Sequence, residues 1–153
     1  MDTALVLPTS ALDDYPIWSP DSRYVAGNVM GTWTKVDLQR ISLRAATWRG
    51  GERLGVIENR AAVTPLDPTL VKQWTPPIEP SPDVAERGPI RVEFSRKGLS
   101  TVLVVTRDGK PPRFVSSSDF ETCGAPRISP DGHMVAFICE TNGLLVMALD
   151  SVR

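Results

Sequence analysis

Trp18-Ser19-Pro20-Asp21-Ser22-Arg23-Tyr24-Val25-Ala26-Gly27 and Ile128-Ser129-Pro130-Asp131-Gly132-His133-Met134-Val135-Ala136-Phe137 are two versions of one pattern, offset by 110 residues. Pro16 and Pro126 extend the match upstream. A repeat on this scale has to be settled before any local preference is read. Ser-Pro-Asp-Gly suits a type I turn: Ser takes the first corner, Pro sets φ at the second, and Gly takes the fourth. Apolar residues flank it on both sides, so each copy reads as strand, tight turn, strand. A weaker third copy is Val92-Glu93-Phe94-Ser95-Arg96-Lys97-Gly98, followed by the apolar run Val102 to Val105. Phe94 lies 34 residues before Ile128 and 76 after Trp18, about one and two repeat lengths.

Other hairpin signals fill the intervals. Gly50-Gly51 separates Ile41–Trp48 from Glu52–Ile57, Asp108-Gly109 follows Thr101–Thr106, and Asn142-Gly143 separates His133–Glu140 from Leu144–Asp150. Asn-Gly and Asp-Gly serve type I′ turns, which need positive φ at both central residues. Pro111 and Pro112 cannot donate to a ladder, so the strand after Asp108-Gly109 suits a sheet edge. Within Lys35–Trp48 the apolar spacing fits either a helical stripe or a strand with a register break. Its strand-forming neighbours favour the strand.

The composition agrees with many short elements joined by turns. Of 153 residues, 14 are proline and 11 glycine, with 41% hydrophobic and 23% charged. Seven of the prolines fall between Pro65 and Pro89, which reads as an irregular connector without helix or central strand. The net charge of −1 supplies no global field for nucleic acid or an anionic membrane. No window approaches the run of about 20 apolar residues that spans a bilayer. The first residues lack a basic region and a long apolar stretch, so no signal peptide is expected. That fits a cytoplasmic chain, or a part of something exported.

The two Ser-Pro-Asp copies resemble the repeat of TolB-like β-propellers, which also occurs in the propellers of prolyl oligopeptidase-type peptidases. In that repeat the Ser-Pro-Asp-Gly turn joins the two inner strands of a four-stranded blade. The resemblance therefore implies an all-β fold of antiparallel blades, related in kind to WD-type repeats. One blade spans about 15–59, a second about 90–118 and a third about 125–150, with 65–89 as connector. It also makes Ser19, Pro20, Asp21, Ser129, Pro130, Asp131 and Gly132 turn-forming rather than catalytic. The third blade lacks an outer strand, and the spare strand at Ala4–Leu7 is placed to supply it. Closed propellers hold about four to eight blades. Three imply a fragment, a half-ring that dimerises, or a compact assembly of blade-like hairpins.

The turn at Ser129–Gly132 also bears on the cysteines. Residues pair across that hairpin when their numbers sum to about 261, or one more with a bulge. Cys123 and Cys139 sum to 262. They are either two buried, inert thiols or partners in a disulfide across the hairpin.

No residue constellation indicates catalysis. There is no Gly-x-Ser-x-Gly elbow and no phosphate-binding glycine loop. His133, the one histidine, stands in a turn. Asp13-Asp14 and Asp119/Glu121 are acidic pairs without the oxygen-ligand spacing of a calcium loop, so no metal and no cofactor are expected. Between Arg23 and Arg60 seven basic and three acidic residues are interleaved with Trp33 and Trp48. Alternation sends the tryptophans inward and the arginines to water, so nucleic acid is not the expected partner. The resemblance implies a protein-binding module, as TolB-like propellers are periplasmic partner-binding proteins. The other reading is the non-catalytic propeller of a serine peptidase.

Overall fold

The computed structural model describes residues 4–7, 15–29, 32–40, 63–76, 83–97, 100–116, 123–139 and 143–149. Among these residues twelve strands make three four-stranded antiparallel sheets. The first contains β2 (Ile17–Trp18), β3 (Tyr24–Val29), β4 (Thr32–Asp37) and β5 (Val63–Pro65). The second contains β6 (Val84–Arg87), β7 (Ile90–Lys97), β8 (Ser100–Arg107) and β9 (Arg113–Ser116). The third contains β10 (Cys123–Ile128), β11 (Met134–Cys139) and β12 (Gly143–Ala148). Its fourth strand is β1 (Ala4–Leu7), which pairs antiparallel with β12 from Ala4 opposite Met147 to Leu7 opposite Leu144. The expected spare strand thus completes the last sheet.

The third sheet lies in the middle, and β11 shows why. Met134-Val-Ala-Phe-Ile-Cys139 is apolar at both parities, the pattern of a strand buried on two faces. Val135 and Phe137 join Ile128, Met147 and Leu149 against Val92, Phe94, Leu103, Val105 and Val115 of the second sheet. Ala136 and Ile138, on the opposite face, join Val146 against Trp18, Val25, Val36 and Leu38 of the first sheet and the turn after it. Phe94 and Phe137 meet edge to face at 5.2 Å.

The far face of the first sheet is covered by a short helix. Helix α1 (Pro68–Trp74) directs Leu70, Val71 and Trp74 at Ile17, Ala26 and Leu66. Its start is encoded locally. The Asp67 carboxylate accepts a hydrogen bond from Thr69 N at 2.9 Å, and Pro68 occupies the first turn, where no backbone donor is missed. Its end is tied by Thr75, whose N–H donates to Val71 O at 3.0 Å.

Two expectations need correction here. The connector 65–89 is not free of regular structure, because it carries both α1 and β6. Among the described residues, Pro65 ends the edge strand β5, Pro68 stands in the first turn of α1, Pro76 follows that helix and Pro89 lies in the hairpin after β6, so none of these interrupts an interior ladder. The second sheet accordingly starts at Val84 rather than near residue 90. The weak third copy is displaced by one strand: Phe94 lies in β7, the second strand of its sheet, and the first hairpin turn is Gly88-Pro89. Gly88 takes φ +55° there, which favours glycine.

The first sheet also departs from the sequence reading. The strand from Lys35 ends at Asp37 and gives way to a 3-10 turn at Leu38–Arg40. The Gly50-Gly51 hairpin, Trp48 and the acidic pairs Asp13-Asp14 and Asp119/Glu121 lie outside the described residues. The Asp108-Gly109 turn is present, with Gly109 at φ +70°, and the strand after Pro111-Pro112 is the edge strand β9.

Cys123 stands directly opposite Cys139 in the β10–β11 ladder, on the far side of a bulge between Gly124 and Arg127. Cys123 is buried and disulfide-bonded, and no cysteine among the described residues is free. No described helix is long and apolar enough to cross a membrane.

Candidate functional site

The two Ser-Pro-Asp turns are built alike, bond for bond. In the first, Ser19 Oγ donates to Asp21 Oδ1 at 2.6 Å and accepts from Tyr24 N at 2.9 Å, while Asp21 Oδ1 also accepts from Arg23 N at 3.1 Å. In the second, Ser129 Oγ donates to Asp131 Oδ1 at 2.6 Å and accepts from Met134 N at 3.0 Å, while Asp131 Oδ1 accepts from His133 N at 3.0 Å. The backbone closes each turn with equivalent bonds, Ser22 N to Ser19 O and Gly132 N to Ser129 O. Serine and aspartate thus satisfy amides that a tight turn would otherwise leave unpaired. The Ser19 hydroxyl and the Arg23 amide hold the Asp21 carboxyl below its ordinary range. Pro20 is exposed and Pro130 half-buried at the corners. Ser19, Asp21, Ser129 and Asp131 thus hold the turn backbone through their side chains, Gly132 closes the second turn through its amide, and the exposed His133 donates its amide to Asp131.

The first hairpin turns of all three sheets come together. Asp131 N donates to Ser22 Oγ at 3.0 Å, joining the two Ser-Pro-Asp turns. Trp18 Nε1, just before the first turn, donates to Arg127 O at 3.0 Å, just before the other. A side chain added at Gly132, which has φ +78°, would meet Ile90 Cδ1 of the Gly88-Pro89 hairpin at 3.4 Å.

Ser22 shows how the contact is made. Its φ of 62° lies in the left-handed region, where its counterpart is Gly132. A non-glycine residue there costs about 1 kcal/mol. The hydroxyl that bonds the other turn offsets this. Ser22→Ala keeps the strain and strands the Asp131 amide, so it is expected to lower stability by about 1 kcal/mol. Ser22→Gly loses the same bond but relieves the strain, and should melt close to the parent protein. Thermal unfolding of the two variants checks the order; equal melting of Ser22→Ala and the parent would refute this account.

Beneath the converging turns lies a cleft of about 310 Å³. Pro16, Ile17, Trp18 and Pro20 line one wall, and Ile128 and Pro130 another. The end of α1 adds Gln73, Trp74, Thr75 and Pro76, and β6 adds Arg87. Trp74 stacks on Tyr24, with ring centroids 6.1 Å apart, which steadies the indole at the rim. Arg127 also lines the cleft and is only 9% exposed. It follows the bulge and Ala125, which has φ +54°, a local distortion that re-aims a side chain. Its Nη1 donates to Pro126 O, and its guanidinium lies 5.2 Å from the Tyr15 ring centroid. Burial pushes the Arg127 pKa down to about 10, which leaves it cationic at neutral pH.

Trp74, Arg87 and Arg127 were not singled out by the sequence reading. The first two fall in the stretch read as connector, although Asp67-Pro68 followed by Leu70, Val71 and Trp74 is a helix-start signal. Arg127 is reached only through the bulge, for which Cys123-Gly124-Ala125-Pro126 offers no specific signature. Among the described residues, no group of three His, Cys, Asp or Glu side chains could hold a metal ion. No family model matches the chain, and neither a curated protein nor a solved structure does.

Proposed function

We propose that the chain is a non-enzymatic protein–protein interaction module of the TolB-like propeller type, and that the cleft under the three hairpin turns is where its partner engages. The convergence of those turns carries the reading. On it, the three sheets are blades, and β2, β6 and β10 are their inner strands around a common axis. The supply of an outer strand by β1 supports it, as propellers use one terminus to complete the blade of the other. The difficulty of closing three blades is met by α1, which takes the place of a neighbour against the first sheet. The cleft's chemistry suits a peptide: tryptophan and proline surfaces offer rigid apolar contact at small entropic cost.

Selection from a random peptide display library on the intact chain tests the reading. Parent protein is expected to enrich a consensus, and the paired change Trp74→Ala with Arg87→Ala should reduce binding of the winners about tenfold or more, as loss of an interface hot spot does. Winners that bind the double variant equally well, or no enrichment at all, would refute it.

A further inference from the structure

The charge of the cleft narrows the kind of peptide. We infer that it is a carboxylate-binding pocket, which takes the free C-terminus of a peptide ending in an apolar residue, with Arg87 as the group that meets the terminal carboxylate. This rests on the cleft being the interaction site.

The described lining residues include two arginines and no acid. Arg87 is exposed at the end of β6 and makes no ion pair among the described residues. Its neighbour Glu86 is engaged by Arg91 at 2.7 Å, and Arg91 also holds Glu93 at 3.0 Å. The carboxylate nearest in sequence is thus tied to Arg91 of β7, leaving the Arg87 fork available. A guanidinium recognises a carboxylate through two parallel N–H donors, a geometry a point charge does not supply. Arg127 is too buried to serve as the first contact, but its charge adds to the positive potential within the cleft.

The remaining walls select the rest of the ligand. Trp74, Ile17, Ile128 and the prolines offer apolar surface to a side chain beside the carboxylate. The volume of about 310 Å³ is at the small end for ligand pockets, enough for a terminal residue and part of its predecessor. A phosphate would have to leave more hydration behind on walls that offer little hydrogen bonding in return. Capture of a chain terminus by a few oriented donors is an established mode of peptide recognition.

The test follows the tryptophan indole N–H signals of the isotope-labelled full chain, with Trp74→Phe used to assign Trp74. The probes are N-acetyl-Ala-Pro-Leu as free acid, the same peptide amidated, an amidated peptide with an internal glutamate, and indole-3-acetate. The free acid is expected to shift the Trp74 signal and to bind about tenfold or more tightly than the amide, the scale of a charge-assisted contact. Arg87→Gln should erase that difference while its thermal melt stays that of the parent. Equal binding of acid and amide would overturn the carboxylate assignment and leave the interaction module intact. Binding of the glutamate peptide or of indole-3-acetate as tight as the free acid would overturn the chain terminus as its source. If none of the probes shifts an indole signal the inference fails, while the display selection judges the module separately.

Discussion

Replacing Phe137 with alanine is expected to lower the unfolding free energy by about 4 kcal/mol, the middle of the range for removing a buried phenylalanine. The ring is 0% exposed and sits on the strand that carries both inter-sheet cores. The cavity would open between the second and third sheets, where Val92, Leu103 and Met147 belong to the same buried cluster. Those neighbours are held in ladders, so little collapse is available to reduce the cost. The edge-to-face contact with Phe94 adds about 1 kcal/mol beyond the area it buries. Against a domain stability of about 5–15 kcal/mol the loss is large. Urea denaturation measures it, and a double-mutant cycle with Phe94→Leu isolates the ring pair. Phe114, 57% exposed on edge strand β9, provides the contrast: its alanine variant should stay within about 1 kcal/mol of the parent. A loss below about 1.5 kcal/mol for Phe137→Ala would contradict the packing described.

Reduction of the disulfide at Cys123 is the second large effect expected. The β10–β11 register directs it to Cys139, the only other cysteine of the chain. The bond would close a loop of about 17 residues, for which the chain-entropy account gives about 3 kcal/mol. For a domain of this length that corresponds to a fall of about 6–12 °C in melting temperature. The loop contains the bulge, Arg127 and the second Ser-Pro-Asp turn, so reduction should also loosen one wall of the cleft. Thermal melts with and without reductant, beside intact-mass measurement after alkylation, settle the matter. Two alkylated thiols in unreduced protein, or identical melts, would remove the bond from the account.

Much of the local architecture can be read without the structure. Asp21 and Asp131 sit where a tight turn exposes amides, and the Ser-Pro-Asp spelling announces those turns. The edge position of β9 and the juxtaposition of Cys123 with Cys139 follow from proline placement and hairpin arithmetic, while the place of the spare strand at Ala4–Leu7 is what the propeller resemblance implies. Between Pro65 and Pro89 the proline density points to an absence of regular structure, yet the stretch holds both α1 and β6. A proline forbids only its own donation and the conformation before it, so a capped helix and a proline-free strand fit between prolines.

The candidate site was barely legible, for a different reason. Trp18 and Arg127, Ser22 and Asp131, and Gly132 and Ile90 are joined across sheets, over separations of up to 109 residues in the bonded pairs. By itself the sequence determined the two Ser-Pro-Asp hairpins, the Asp108-Gly109 turn and the edge position of the strand after Pro111-Pro112, because these depend on φ restrictions and on the donor that proline lacks. Only the tertiary structure decided that the third sheet lies between the other two, that α1 covers the free face of the first, and that Trp74, Arg87 and Arg127 share one cleft. Those outcomes depend on which apolar faces exclude water together, and that choice is made between whole sheets rather than within any stretch of chain.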